Sequence, residues 1–275
     1  MIFFIDIDGT IRDYMRGMIP SAVKALKNAK EQGHILILCT GRTMGMIPHD
    51  VPVEVFDGII SGGGCRVELY GELLKDLYLD TAVIARYRRF FEEKEIPYVL
   101  EAFPGIYLSP KMKGIYINEL FHGQVPGEGS YPGIVSEGIR TDKTIEDYDK
   151  EDVHATKMGF CLTAPQFAEF SPDKEDELAY IAYDDATDGY AHCELVRGDS
   201  DKGAAVRLML EKTGCTKTQA YAFGDSTNDI SMMNECGNAV VMGNASDMVK
   251  KYASYITADV CEDGFYKALT GLKLI

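Results

Sequence analysis

Ile2-Phe3-Phe4-Ile5-Asp6-Ile7-Asp8-Gly9-Thr10 lies at the start of the chain, and its reading decides the fold. Four consecutive apolar residues without alternation predict a short strand buried on both faces, as in a parallel sheet. The run ends in acid and then Gly-Thr, so Asp6 stands at the carboxyl end of that strand. Pro20-Ser21 next opens an amphipathic helix with Val23, Leu26 and Ala29 on one face, and Gly33 stops it. A second apolar run, Ile35-Leu36-Ile37-Leu38-Cys39, ends in Thr40-Gly41-Arg42. Strand, helix, strand in this order is a βαβ unit, whose crossover is right-handed.

The same rhythm returns near the other end. Asp201 to Lys212 reads as a helix, and Ala220-Tyr221-Ala222-Phe223 as a strand ending in Gly224-Asp225. A helix over Ile230–Glu235, a strand at Ala239-Val240-Val241 and a helix from Ala245 to Tyr252 follow. Alternation at both ends predicts one open parallel sheet assembled from both termini. The middle differs: a long helix, Thr81 to Lys94, is mixed with strand-like pieces, a turn at Pro126–Gly129 and a further helix opening at Pro172-Asp173. It reads as an inserted α+β domain.

Composition narrows the function classes. The 275 residues are 46% hydrophobic and 26% charged, enough for a sizeable core without disulfides or structural metal. The formal net charge of −15, with no basic cluster larger than Arg86, Arg88 and Arg89, argues against nucleic acid as a partner. Any anionic substrate must then be drawn in by a local cation. Seven cysteines are scattered singly, with no zinc-ligand spacing, which fits reduced thiols in a reducing compartment. No basic leader opens the chain, and no apolar run approaches the roughly eighteen residues of a membrane span. A cytoplasmic protein that binds no membrane is expected, as a monomer or homodimer.

Ligands of open parallel sheets bind beyond the carboxyl ends of the strands. Three strands here end in polar clusters: Asp6 to Thr10, Thr40-Gly41-Arg42, and Gly224-Asp225-Ser226-Thr227-Asn228-Asp229. If Asp6, Asp8 and Asp225 converge, carboxylates about 4 Å apart repel by roughly 4 kcal/mol per pair at an effective dielectric near 20. One lysine, Lys202, does not offset that, whereas a divalent cation with oxygen preference does, and Mg²⁺ suits carboxylates plus a substrate phosphate. Lys202 also offers a point charge to phosphate oxygens. Thr40 brings a hydroxyl, and Gly41 an amide that a phosphate can approach closely. In Asp-x-Asp, one carboxylate can attack phosphorus while the other protonates the leaving oxygen and later activates water.

With these motifs in order, the sequence resembles the haloacid dehalogenase superfamily, specifically its Cof-type phosphatases with a type IIB cap. The quoted residues are Asp6-Ile7-Asp8-Gly9-Thr10, Thr40-Gly41-Arg42, Lys202-Gly203 and Gly224 to Asp229, with Val241-Met242-Gly243-Asn244-Ala245 and Asp263-Gly264 behind them. The resemblance implies an α/β fold, a Rossmann-like parallel sheet core over 1–80 and 190–275 with an inserted α+β cap over 81–189 that closes over the core and sets specificity. It implies Asp6 as nucleophile and Asp8 as general acid/base. Mg²⁺ would be held by the Asp6 side chain, the Asp8 carbonyl and Asp225. Ile7, Thr40, Gly41, Lys202 and Asn228 would hold the phosphate, and Asp229 would support Lys202 or the surroundings of the metal. The implied activity is hydrolysis of a small phosphorylated metabolite, with a sugar phosphate favoured.

The chain departs from the subgroup at Ser61-Gly62-Gly63-Gly64-Cys65, where an Asn-Gly-Ala-like turn is usual. A substrate contact made by that asparagine is therefore not expected, and the glycines read as a relaxed turn. The five histidines are isolated and form no ligand or triad pattern. His122 and Arg140, in the cap, and Arg12 and Arg42, beside the site, are further candidates for touching substrate. Competing readings are a phosphotransferase or phosphomutase on the same scaffold, a signalling receiver, and a non-catalytic protein that binds a phospho-ligand. The long insertion and the Asp-x-Asp-Gly-Thr order count against the receiver.

Overall fold

The computed structural model describes residues 1–103, 105–115, 143–183 and 190–275. The expected Pro126–Gly129 turn, His122 and Arg140 lie outside them. The described residues form two compact units. One comprises 1–41, 50–76 and 200–275, and the other comprises 42–49 and the described residues of 77–199.

Along the chain the first unit begins with β1 (Ile2–Ile5), a small hairpin of β2 (Arg12–Asp13) and β3 (Gly17–Met18), then α1 (Pro20–Glu31) and β4 (Ile35–Cys39). β5 (Gly58–Ser61), β6 (Arg66–Leu69) and β7 (Glu72–Asp76) follow. The second unit supplies α2 (Thr81–Glu93), β8 (Tyr98–Ala102), β9 (Ile106–Leu108), α3 (Pro110–Ile115), α4 (Ile145–Tyr148), β10 (Ala155–Leu162), α5 (Ala164–Glu169), β11 (Leu178–Tyr183) and β12 (Ala191–Arg197). The chain then returns to the first unit with α6 (Lys202–Thr213), β13 (Ala220–Gly224), α7 (Ile230–Glu235), β14 (Asn238–Val241), α8 (Asp247–Lys250), β15 (Tyr255–Ile256) and α9 (Gly264–Gly271).

In the first unit eight strands form one sheet in the order β15-β14-β13-β1-β4-β5-β6-β7. The run from β15 to β5 is parallel, and β6 and β7 add antiparallel pairs at one edge. β1 is central because its four side chains are all fully buried, each contributing about 2 kcal/mol of transfer free energy. Strand alternation divides them. Ile2 and Phe4 join Ile37, Val206, Met209 and Met232 in one cluster. On the other face the Phe3 ring meets Tyr221, Phe223 and His34, and Phe223 meets Phe265 of α9 edge-on.

Register places the chemistry. Ile5 pairs with Leu38 on one side and with Phe223 on the other, so β1, β4 and β13 end level. Asp6, Thr40 and Asp225 thus leave one edge of the sheet together. α6 begins at Lys202, with the Asp201 carboxylate accepting from the Ala204 N–H as its cap, and ends at Gly214 in the left-handed region.

In the second unit a sheet of order β11-β12-β10-β8-β9 is antiparallel throughout. Its core joins Phe91 of α2 to Phe160 and Leu100, with Phe170 and Tyr180 at its margin. Two sequence expectations are corrected. Pro172-Asp173 opens no α-helix: only a 3₁₀ turn, Lys174–Asp176, forms there, and the Asp173 N–H donates to the Tyr87 hydroxyl instead. The helix expected from Ala245 to Tyr252 is confined to Asp247–Lys250, because residues 242–245 are drawn into a loop tied to Gly224 and Ala258.

Candidate active site

Asp6 is 6% exposed, and its N–H donates to the Phe223 carbonyl at 3.0 Å, tying the end of β1 to β13. Lys202 is buried to 2%. Its Nζ donates to Asp6 Oδ1 at 2.6 Å and to Asp229 Oδ1 at 2.6 Å. A lysine desolvated this far persists as an ammonium only when paired. Burial pulls its pKa down, but Asp229 and Asp6 outweigh that and hold it above the ordinary value.

Asp229 is fully buried and serves as the pillar of the loop. While Oδ1 faces Lys202, Oδ2 accepts from the Asp225 and Ser226 N–H groups at 3.0 Å each. The Gly224-Asp225-Ser226 turn is therefore folded around the carboxylate of Asp229.

Asp6, Asp225 and Asp229 each bring a carboxylate oxygen within 4.8 Å of the others. Burial first, and then Asp229, push Asp6 well above the carboxylate range, with Lys202 opposing. The same two causes lift Asp225 to about 7. When all three are ionised, three carboxylates and one ammonium leave two negative charges in a buried space, which is why the protons are held so firmly. Among the described residues, Asp225 Oδ1 is buried and without a hydrogen-bond partner, as is the Thr10 hydroxyl. A hard divalent cation fits this donor set: it supplies both missing charges and a partner for an orphaned oxygen.

The Asp8 carboxylate is not a member of that group. Its Oδ1 lies 3.6 Å from a guanidinium nitrogen of Arg12, and the Arg12 Nε donates to Asp50 Oδ1 at 3.1 Å. Arg12 is only 3% exposed, so these carboxylates balance a buried cation. The Ile7 carbonyl accepts from the N–H groups of Thr10, Ile11 and Arg12 at 3.0–3.2 Å, turning the chain sharply after Asp6. Gly9 has φ +76°, and a Cβ there would stand 2.0 Å from Asp225 Oδ2. The middle position of Asp8-Gly9-Thr10 therefore tolerates no side chain.

Thr40 is buried at the end of β4, and the next residue, Gly41, lies against Asn228, since a Cβ on it would be 3.4 Å from Asn228 Nδ2. The Ser61–Cys65 departure is a 3₁₀ turn at Gly62–Gly64 with positive φ at all three glycines. Gly63 N–H donates to the Thr40 carbonyl at 3.0 Å. A Cβ on Gly64 would stand 2.3 Å from the Asp201 carbonyl, immediately before Lys202. More than relaxing a turn, these glycines let the loop after β5 approach the start of α6 by backbone alone.

Two residues of this neighbourhood went without a role in the sequence reading. Asn244 donates to the Gly9 carbonyl and to Asp225 Oδ2, and the Thr10 hydroxyl faces the interior. The signal for Asn244 was its place in the Met242-Gly243-Asn244-Ala245 stretch. Arg42 belongs to the second unit, where it donates to the Met46 carbonyl at 3.2 Å.

Comparison with known proteins agrees with this architecture. The family model for haloacid dehalogenase-like hydrolases matches residues 3–269, so the chain belongs to that family, and to its Cof-type branch. A pyridoxal phosphate phosphatase of Escherichia coli strain K12, YbhA, is 27% identical over 95% of this chain and 94% of its own. A putative phosphatase of Bacillus subtilis strain 168, YkrA, is 27% identical over 100% of this chain and 98% of its own. In fold, a subclass IIB sugar phosphatase, BT4131, superposes with a TM-score of 0.77 at 22% identity, covering 100% of this chain and 99% of that one. The protein is a phosphoric monoester hydrolase of this family.

Proposed function

We propose that the protein is a Mg²⁺-dependent phosphatase that forms an aspartyl-phosphate on Asp6 and hydrolyses a small phosphorylated metabolite, a sugar phosphate first among them. The observation that carries this reading is the buried Asp6–Lys202–Asp229 chain beside an Asp225 oxygen with no hydrogen-bond partner among the described residues. The division of labour belongs to the same proposal: catalysis by 1–80 and 190–275, selectivity by side chains of 81–189. Cytoplasmic location is likewise proposed. It is supported by cysteines that are all unpaired and by the absence, among the described residues, of any helix long and apolar enough to cross a membrane.

In the first step an Asp6 carboxylate oxygen attacks phosphorus. Because Lys202 holds Oδ1, Oδ2 is the oxygen better placed to attack. The bond from phosphorus to the leaving oxygen breaks, and Asp8 gives that oxygen its proton. In the second step the Asp8 carboxylate takes a proton from water as the water oxygen attacks phosphorus. The bond from phosphorus to Asp6 breaks, and inorganic phosphate leaves. Lys202, Thr40, Asn228 and the backbone at Ile7 and Gly41 hold the phosphoryl oxygens, while Asp229 keeps Lys202 charged and in place. Asp6, the Asp8 carbonyl and Asp225 would hold Mg²⁺, which neutralises charge developing on the phosphoryl group. Arg12 holds Asp8 beside the strand end.

The test is phosphate release from a panel of phosphorylated metabolites, with Mg²⁺ and with chelator, by wild type and Asp6→Asn. Metal-dependent release that Asp6→Asn abolishes is expected. Turnover only when a sugar acceptor is added would replace hydrolysis with phosphoryl transfer. Tight substrate binding without any turnover would leave a binding protein.

A further inference from the structure

We infer that Asn244 is a positioning residue for the metal site: its amide fixes the Asp225 carboxylate so that Oδ1 faces the acidic cluster. The inference rests on the metal-dependent reading above and adds to it a residue outside the motif that carries Asp225.

The amide of Asn244 has no choice of orientation. Its Oδ1 accepts from the Val260 N–H at 3.0 Å, so its Nδ2 faces the opposite way. The two hydrogens on that nitrogen then go to two different acceptors, the Gly9 carbonyl at 2.9 Å and Asp225 Oδ2 at 3.0 Å. One side chain therefore links the loop after β1, the loop after β13 and the segment before α9. The loop that carries it is itself fixed. The Met242 N–H donates to the Gly224 carbonyl, and the Gly243 N–H donates to the Ala258 carbonyl, each at 3.0 Å. At Gly243 a Cβ would stand 2.6 Å from the Asp259 amide nitrogen, so the backbone of one loop lies directly on the other.

The consequence falls on Asp225. A carboxylate held at one oxygen by a fixed donor has lost its freedom to rotate, and its other oxygen is then aimed. That other oxygen is Oδ1, the buried atom without a hydrogen-bond partner among the described residues. Outer partners that orient a ligating side chain typically change metal affinity about 10- to 100-fold when removed. Asn244 is solvent-exposed, so the lower end of that range is expected.

The experiment titrates Mn²⁺, as a paramagnetic probe of the site, into wild type, Asn244→Leu, Asn244→Ala and Asp225→Ala without substrate. Bound metal is read by electron paramagnetic resonance, and metal-free melting temperature is recorded for each variant. The leucine keeps the branched outline of Asn244 and removes every hydrogen bond made by its side chain. Expected are wild-type binding, none in Asp225→Ala, and about tenfold weaker binding in Asn244→Leu with its metal-free melting close to wild type. Asn244→Ala repeats the measurement should the leucine variant not fold. Wild-type Mn²⁺ affinity in a folded Asn244 variant, whatever its melting temperature, overturns the positioning role and leaves the metal reading intact. Absence of Mn²⁺ binding by wild type overturns the metal reading itself, and this inference with it.

Discussion

Each unit buries one lysine between two carboxylates, yet the two clusters are built differently. In the first unit Lys202 stands between Asp6 and Asp229 at 2.6 Å each. In the second, Lys157 stands between Glu101 at 3.3 Å and Glu194 at 2.7 Å. The second cluster is a product of strand register. Lys157 of β10 pairs directly with Glu101 of β8, and Glu194 of β12 sits opposite Gly159, two residues along β10. Such cross-strand ion pairs stabilise a sheet face without asking for anything further. The first cluster sits on loops beyond strand ends and adds a third carboxylate, Asp225, with an oxygen that nothing in the described protein satisfies. One cluster is close to balance, and the other is two charges short of it.

Removing the nucleophile should give the largest effect and the widest separation between the two. Asp6→Asn is expected to lower turnover on the order of 10⁴-fold or more, while raising the metal-free melting temperature, because one buried negative charge is removed. Steady-state kinetics and calorimetry on the same preparation check both halves. A fall in stability as well as activity would mean that the cluster is balanced without metal, and the contrast drawn above would not stand.

Replacing each lysine ranks the clusters by stability. Lys202→Met leaves Asp6 and Asp229 facing each other without a cation, and at pH 8 should cost about 3–5 kcal/mol in urea unfolding. Lys157→Met is expected to cost about half as much, because Glu194 keeps part of its contact with water (21% exposed). Equal losses would show that position on a loop or a strand does not matter.

A titration sharpens the charge argument. Burial and then Asp229 place Asp225 near 7 in the folded protein, against about 3.9 for an unfolded aspartate. The folded, metal-free protein thus holds a proton that the unfolded chain releases. Its contribution to stability is complete below about pH 4 and is lost as pH rises towards 7. Mg²⁺ requires the ionised carboxylate and competes with that proton, so its affinity should rise about tenfold between pH 6 and pH 8. Thermal shift at both values, with and without Mg²⁺, should show the larger metal-induced shift at pH 8. An equal shift at both would remove Asp225 from the ligand set.

Legibility in the sequence followed the same division. The first cluster was readable because its residues lie in short motifs at strand ends, where chain direction and an apolar run already say which way the edge faces. Asp6, Lys202, Asp225 and Asp229 were all named from spacing or resemblance. Asn244 received no role because its partners, Gly9 and Asp225, are brought to it by two separate crossovers, and no local pattern announces that. The burial of Arg12 was hidden for a related reason: Asp50, which balances it, comes 38 residues later. The Glu101–Lys157–Glu194 cluster was invisible, since antiparallel register among three strands of the insertion is not set by any short stretch. At Pro172-Asp173 a helix-start signal was overruled when the Tyr87 hydroxyl took the Asp173 N–H.

The smallest expected effect compares two charge-removing changes. Glu101 is 7% exposed, and burial raises its pKa while Lys157 opposes that shift. Glu101→Gln removes the cost of a buried charge and leaves Lys157 paired with Glu194 at 2.7 Å. The amide oxygen takes the place of Oε1 and still accepts from Lys157, 3.3 Å away, while the new NH₂ donates to the Thr43 hydroxyl oxygen, which lies 3.4 Å from Oε2 and can accept as well as donate. Gains and losses nearly cancel, and the change in unfolding free energy should stay within about 1 kcal/mol. The counterpart in the first unit, Asp229→Asn, cannot cancel in the same way. Both of its carboxylate oxygens already accept, one from Lys202 and one from two backbone N–H groups, so the new NH₂ must confront a donor on either side. Loss of about 2–4 kcal/mol is expected, together with loss of turnover as Lys202 is released. Equal costs for the two variants would mean that Glu101, like Asp229, organises the loops around it, and that the second cluster does more than tie its sheet together.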